Sequence, residues 1–559
     1  MRGTCDFELR VRVLSLGSCI RIVEMVFNLG NPSSPGHKER VFLTCRLIVL
    51  GVGSFAAWNA AAQLTIGDVQ AVIAQAVSRA VVVSSNSVVA VTDREGHVLG
   101  VWDMNPSLVR TKQEIENAIT KAGTAAFLSS DQHAFSTRTA GFIVQQNFPP
   151  GVLNRPPGPL VGVNFSQLPF SDINRLKGPG SVIAYGSSPA GANIVTVPIP
   201  ATGGLAGTPG GLPLFKGGML VGGVGVAGDG DGPADITPLT IANSDVDEDV
   251  ARSGQIGFEP AVHLQGLNVL IDGIRLEYVA SETGPAPVIP FGSLPGVVVS
   301  PYAIMASPAP FAYPLISLGG LTNELRQPIQ ADPVVGLIAG QPRLTASEVT
   351  SILARAAART RSTRAGIRLP RGQPARVWIT VVNNPGTAGM PPTVLGTLRT
   401  PDATIFSWDV AVQKARTAVF FSSNVRAYTT RAVGFLAQAL YPPGLQGTQP
   451  GIFLGLQEKF SLFPAGVTNP LNGAVVAIAQ PVNPNLPNGI TIFPGGIPLY
   501  RNGVLIGAIG VSGDGIDQDD LVAASGAEGF LAPESARADR SAYRGARLPY
   551  VKFPRNPAL

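Results

Sequence analysis

Cysteine stops early in this chain. It occurs at Cys5, Cys19 and Cys45, and the rest of the 559 residues has none. Beyond Cys45 that excludes a disulfide framework, a thiolate metal site, an iron–sulfur cluster and a catalytic thiol. Histidine is nearly as scarce, with His37, His97, His133 and His263 as the full set. Charged residues make up 14% and the formal net charge is +5. No basic run alternates with aromatics, so the electrostatic stripe that nucleic acid requires is missing. No G-x-S-x-G elbow, H-E-x-x-H pair or Walker loop occurs, so no catalytic constellation is recognisable. The glycine-rich GGVGVAGDG (222–230) closes a strand pair and lacks the βαβ setting of a dinucleotide site.

What is present is core material and turns. Hydrophobic residues reach 45%, with a mean hydropathy of +0.25 and 65 Gly and 49 Pro. The length exceeds what one hydrophobic core usually organises, so two or more domains are expected.

Residues 41–62 read as a signal peptide. Lys38, Arg40 and Arg46 give the positive region and Leu47 to Trp58 a short apolar stretch. Ala60, Ala61 and Ala62 give a small-residue cleavage site before Gln63. The apolar run is shorter than the roughly 20 residues that span a bilayer, and no other segment reads as long and apolar enough. A mature chain starting near Gln63 would be free of cysteine. Residues 1–40 read as an extension or a misassigned start, with Met25 or Val41 nearer the true one.

The rest of the chain repeats itself. LTIGDV (64–69) returns as LTASEV (344–349), and KAGTAAFLSS (121–130) as KARTAVFFSS (414–423). FSTRTAGFIVQQNFPPG (135–151) returns as YTTRAVGFLAQALYPPG (428–444). GGLPLFKGGMLVGGVGVAGDG (210–230) returns as GGIPLYRNGVLIGAIGVSGDG (495–515), and GIRLEYV (273–279) as GARLPYV (545–551). Five blocks in one order define two copies, 63–280 and 344–559, joined by a Pro/Gly-rich linker over 281–343. A pseudo-dimer follows naturally from two linked copies.

Each copy opens on a capping-box pattern, Thr65 with Asp68 and Thr345 with Glu348, before apolar residues at helical spacing. SVVAVTDREGHVLGVWDM (87–104) reads as a hairpin, and Asn502-Gly503 marks the tight turn of a second one. Gly507 and Gly510 sit on opposite faces of the strand after that turn. Such glycines imply very close packing, by a helix or by a flat ligand. The fold class expected is α/β of the α+β type, with helices packed on an antiparallel sheet in each copy.

These blocks resemble the GlcG/HbpS-like haem-binding (haem-degrading) family. The resemblance rests on VVAVTDREGHVLG (88–100), on Lys121-Ala122 with Thr124-Ala125, and on Gly495-Gly496-Ile497-Pro498 through GAIGVSG (507–513). It leaves out residues 1–60 and 281–343 and is poor in the first hairpin of copy two. The long loops 151–209 and 445–494 also depart from the single-domain pattern. The resemblance implies small α/β domains that form oligomers, haem or a related tetrapyrrole as cofactor and partner, iron handling, and weak haem-degrading activity.

Haem requires an iron ligand and groups that receive its propionates. His97 and His133 are the candidate ligands, with Met104 a weaker one, and copy two offers no histidine. The competing account makes His97 a turn residue and His133 a solvated helix end. Lys121 with Thr124, Lys414 with Thr417, and Arg138 and Arg431 are candidate anion receivers. Their alternative is a stabilising ion pair with a helix cap. Asp245 and Glu248 spell D-x-x-E, a spacing suited to a metal ion but equally to an acidic helix start. The Gly228–Gly232 loop resembles a calcium loop but lacks the bidentate glutamate.

The leading expectation is a periplasmic or secreted haem- or tetrapyrrole-binding protein. It is not integral to the membrane once the signal is removed, has no nucleic-acid partner, and forms homo-oligomers as a further expectation. The alternatives are a non-catalytic structural or sensory module whose ligand pocket has degenerated, and a small-molecule enzyme without a visible acid–base pair.

Overall fold

The computed structural model describes residues 63–559 except 109–111, 146, 153–154, 162–204, 229–242, 285, 309–312, 457–485, 487–488 and 555–557; within 1–62 and 162–204 it describes strands alone. Two compact units result, Met1–Gln63 and Leu64–Leu559. In the first, β1 (Leu9–Ser15), β2 (Ile20–Phe27) and β3 (Leu43–Leu50) form an antiparallel sheet in that order. The start of the expected apolar signal stretch lies within β3. The cleavage motif at 60–62, His37 and the Gly-Asp-Gly loop beyond Gly228 lie outside the described residues.

The second unit holds both copies. Copy one begins with helix α1 (Ile66–Val83), whose N-cap Thr65 and Asp68 close the expected capping box. The hairpin β4 (Val88–Asp93) and β5 (Val98–Asp103) follows, then α2 (Lys112–Leu128) and α3 (Thr137–Ile143). Short strands β6 (Val182–Ala184) and β7 (Ile194–Thr196) pair with each other. The second hairpin, β8 (Gly211–Lys216) and β9 (Met219–Ala227), leads to α4 (Val246–Gln255). A two-residue ladder, β10 (Leu270–Ile271) with β11 (Ile274–Arg275), ends the copy.

The connection supplies β12 (Val297–Val298), β13 (Leu315–Leu318) and β14 (Leu321–Gln327). Copy two then repeats the plan with α5 (Ala346–Thr360), β15 (Val377–Asn383), β16 (Val394–Arg399), α6 (Ser407–Phe420) and α7 (Thr430–Leu436). It ends with β17 (Gly496–Arg501), β18 (Val504–Gly513), α8 (Ile516–Gly526) and the ladder β19 (Ala542–Tyr543) with β20 (Ala546–Arg547). Asn502 and Gly503 both have positive φ, 49° and 81°, as a primed hairpin turn demands.

Both sheets are antiparallel and share one strand order. Copy one runs β12-β5-β4-β9-β8 and copy two β13-β14-β16-β15-β18-β17. The connection therefore does more than wrap the surface. Its first half covers the β5 edge through β12, and its second half covers the equivalent β16 edge through β14. Within it, Met305 and Ser307 donate backbone bonds to Leu99 and Leu64 of copy one. Tyr313 instead meets Trp408 of copy two.

Helices cover both faces of each sheet. Side chains alternate across a strand, so Gly223 and Gly225 of β9 face α2 while Val224 faces Gly254 of α4. Helices α1 and α4 pack together on that second face. Copy two repeats this, with Gly510 against α6 and Ile509 against Gly526 of α8. Helix α1 does meet the length and hydropathy test for crossing a membrane, contrary to the sequence expectation. Its apolar stripe, Val69, Val72, Ile73, Ala76 and Val77, is fully buried, as in a core helix.

The two copies share a core. Phe127, Phe135, Phe142 and Val161 of copy one join Trp378, Ile405, Phe406 and Trp408 of copy two in one apolar cluster. Trp378 and Trp408 stack with ring centroids 5.0 Å apart, and Arg326 of the connection lies 3.8 Å from the Tyr313 ring centroid beside them. Around this core runs a charged seam. Arg94 pairs with Asp131 and reaches across to Asp402, and Arg368 bonds Asp402, Asp514 and the Ser130 hydroxyl. Glu95 receives Arg326 at 2.9 Å. Burial works to raise the Asp402 carboxyl, but Arg94 and Arg368 outweigh it and hold the group well below the usual carboxylate range.

The closeness of α2 and α6 to the glycines is testable. A Cβ on Gly225 would lie 2.1 Å from the Ala118 carbonyl oxygen, and one on Gly510 would lie 2.0 Å from that of Ala411. Both obstacles are helix backbone. Gly225→Ala and Gly510→Ala should each cost about 1–3 kcal/mol through overpacking, read as a lower Tm and denaturant midpoint with the fold retained.

Candidate functional site

The β4–β5 turn brings His97 back onto Asp93. Asp93 Oδ1 accepts the backbone N–H groups of Glu95 and His97, and its Oδ2 lies 2.8 Å from His97 Nδ1. That bond fixes the imidazole with Nδ1 protonated and Nε2 as the lone-pair nitrogen. His97 is 6% exposed, and among the described residues nothing bonds its Nε2. A carboxylate-oriented imidazole with its second nitrogen open is the arrangement used for metal-ligating histidines.

His133 is built differently. It is fully buried, its Nε2 donates to the Leu128 carbonyl at 2.9 Å, and its Nδ1 accepts from the Ser130 hydroxyl at 2.8 Å. Both ring nitrogens are occupied. Burial, assisted by Arg368, pushes its pKa down to about 3, so the ring is neutral. His133 is a core histidine feeding the seam between the copies through Ser130, neither a solvated helix end nor an open ligand.

The cations are paired inside each copy. Lys121 Nζ donates to Asp247 at 2.8 Å and Arg138 Nε to Glu248 at 2.7 Å. In copy two Lys414 donates to Asp519 and to the Val511 carbonyl, both at 2.8 Å, while Arg431 binds Asp520 and Asp517. Burial pushes Asp519 up to about 7 and Lys414 down. The threonines clamp backbone. Thr124 and Thr417 accept from the N–H groups of Ala206 and Thr491, and Thr137 and Thr430 from those of Gly211 and Gly496. The partners Asp247 and Asp519 belong to the acidic starts of α4 and α8, and Lys and Asp recur at matching places in both copies.

Asp245 caps α4 by accepting from the Glu248 N–H, and burial raises its pKa to about 6. Glu248 receives Arg138 twice and the backbone N–H groups of Ala280 and Ser281. The D-x-x-E spacing is thus spent on a cap and an ion pair. Among the described residues no cluster of three His, Cys, Asp or Glu side chains could hold a metal ion. Met104 is a core residue at 8% exposure and His263 lies on the surface. The glycine faces of β9 and β18, where the sequence allowed a helix or a flat ligand, are filled by helices α2 and α6. At Gly223, Gly225 and Gly510 the helix backbone leaves no room for a planar guest.

A model of the haem-degrading HbpS-like family matches residues 64–237 and 365–528, more than half of the chain. The chain belongs to the HbpS-like family. Its two matched stretches fall one in each copy, and the family's helix-and-antiparallel-sheet domain is present in tandem. Among solved structures, a PduOC–haem complex is 23% identical over 34% of this chain and 96% of its own, with a TM-score of 0.22. ORFY of Klebsiella pneumoniae is 20% identical over 35% and 96%, and an HbpS double mutant from Streptomyces reticuli is 21% identical over the same shares; both have a TM-score of 0.21. No curated protein matches the chain. In this HbpS-like chain the divergence between copies falls on the turn after β4, where Asp93 and His97 of copy one face Asn383 and an extended turn in copy two.

The neutral state of His133 sets a pH dependence. The unfolded imidazole takes a proton near 6.5 and the folded one near 3, so the unfolded chain binds more protons between these values. Its contribution to stability is complete above pH 6.5 and is lost as pH falls toward 3. Denaturant midpoints measured over that window should fall with acid, and His133→Gln should flatten that fall.

Proposed function

We propose that this chain is an exported haem- or tetrapyrrole-binding protein of the HbpS-like family whose copy one ligates the iron through His97. The observation that carries the reading is the Asp93–His97 pair, in which a buried Nε2 is left without a partner. A histidine held this way fits a haem ligand. Bound haem would supply iron redox chemistry, and assistance in haem breakdown or iron handling follows from it. The chain's own part is to orient the imidazole and to keep water from it.

The planar guest does not lie between sheet and helix, because α2 and α6 rest on the glycines there. The expected propionate receivers Lys121, Arg138, Lys414 and Arg431 each hold a carboxylate already. Ligation therefore belongs to the hairpin end of copy one, and it requires the groups that shield Nε2 to move aside. Copy two has no histidine and acts as the partner on which copy one is built. Those filled faces favour the second reading, a non-catalytic module with a degenerate pocket.

Haemin titration separates the two. The wild-type protein should give a saturable Soret shift, His97→Ala should abolish it, and Asp93→Asn should weaken it by about 10–100-fold. His133→Gln should leave it in place. No shift at micromolar haemin leaves the degenerate-pocket reading, and a shift that survives His97→Ala overturns His97 as the ligand. Export is tested separately: mass spectrometry of secreted or periplasmic protein should find Gln63 at the N-terminus, and peptides from residues 1–40 in that material would overturn the reading.

A further inference from the structure

The turn that carries His97 is held from three sides. Within copy one, Asp93 orients the imidazole and Asp131 takes Arg94 at 2.9 Å. Arg94 also crosses to Asp402 of copy two. Glu95 receives Arg326 of the connection on both carboxylate oxygens, at 2.9 and 3.1 Å. Gly96 has a φ of 84°, and a Cβ there would run into the Phe127 ring. Phe127 belongs to the apolar cluster that the copies share, and its carbonyl accepts from the Phe406 N–H at 3.5 Å. Copy one, copy two and the connection thus converge on residues 93–97. The matching turn of copy two is tied otherwise: Asn383 donates to Asp332 of the connection and accepts from the Thr393 N–H of its own hairpin, and residues 386–391 are exposed.

The burial of His97 Nε2 gives these ties a consequence. The atom is shut from solvent and bonds nothing among the described residues, so a ligand reaches it only when the turn moves. The ties can be released from the turn side. The side chains of Arg94 and Glu95 are 22% and 26% exposed, whereas that of Arg326 is 2% exposed. When they let go, Asp402 keeps Arg368, while Arg326 and Arg399 keep Glu324. Opening the turn therefore leaves no buried charge without a counterion, and it spares the large penalty of a halved pair.

Resting on the reading of His97 as the iron ligand, we infer that the junction between the copies is a latch on the His97 turn, with Arg94 and Glu95 as its positioning residues. Closed, it keeps the imidazole inside. Opened, it presents Nε2 to the iron of a haem-type guest. Apparent affinity then scales with the fraction of molecules whose turn is open. Coupling of this kind is reciprocal, so a guest on His97 also loosens the junction.

Two measurements on the full chain test this. In ligand-free protein, carbethoxylation by diethyl pyrocarbonate, located by peptide mass spectrometry, reads access to each imidazole. His97 should react slowly in the wild type. The double variant Arg94→Ala, Glu95→Ala should speed it about 3–10-fold, the scale of losing two partly exposed ion pairs, and Glu95→Ala alone should speed it less. His133, fully buried, should stay unreactive in all three proteins, which separates local opening from unfolding. In haemin titrations the double variant should bind about 3–10-fold more tightly than the wild type. Haemin should also speed hydrogen exchange at the Phe406 and Leu369 amides, which bond Phe127 and Gln132 across the junction. An unchanged His97 rate, a rise matched at His133, or haemin binding left equal or weakened would each overturn the latch. If no protein in the series binds haemin, the ligand reading falls, and the carbethoxylation rates still decide the latch.

Discussion

The constraint on which the structure depends is the contact of a helix backbone with a strand that has no side chain to interpose. Helix α2 rests on Gly223 and Gly225, and α6 rests on Gly510. The layer spacing on that face is set by main-chain atoms, so it cannot open for a flat guest without breaking the helix's seat. Lys121 and Lys414 project from these helices to the carboxylates at the start of α4 and α8, tying the two outer layers through the sheet edge. A buried pair of this kind contributes little net stability when intact and much instability when halved. Its value is positional: it fixes where each helix begins and how deep it sits.

Most of the architecture was legible because the local signals agreed with one another. Thr65 and Thr345 cap helices as their spacing says, Asn502-Gly503 turns a hairpin, and the repeated blocks fall at equivalent places in two sheets. The glycines announced a close neighbour but not which kind, since a helix backbone and a porphyrin make the same demand on a strand. The function of the ion-pair residues stayed ambiguous for a related reason. Lys121 and Asp247 are far apart in the chain, and a lone lysine reads the same whether it awaits a propionate or holds an aspartate. His97 could be narrowed further, because Asp93 stands four residues away across a turn. His133 could not, as its one acceptor and one donor appear only once the loop after α2 folds back on itself.

Divergence between the copies has a direction. Copy one keeps the aspartate–histidine turn, while copy two replaces it with Asn383 and a longer loop and gains Arg368 and the Trp378–Trp408 stack on the joining side. The aspartate–histidine turn thus lies in one half and the aromatic stack of the junction in the other. The charged seam reflects this: Asp402, Arg368 and Asp514 come from copy two, and copy one answers with Arg94, Asp131 and Ser130. Such a network favours one relative placement of the halves over slid alternatives.

The connection carries a consequence for anyone cutting the gene in two. Because β12 seals an edge of the first sheet and β14 the matching edge of the second, a scission at residue 281 or 343 would strip one half of its outer strand and bare a row of main-chain donors and acceptors. The natural seam lies between Ser307, which still bonds Leu64, and Tyr313, which already rests against Trp408. Duplication has here left each half with a hem sewn from the thread that joins them.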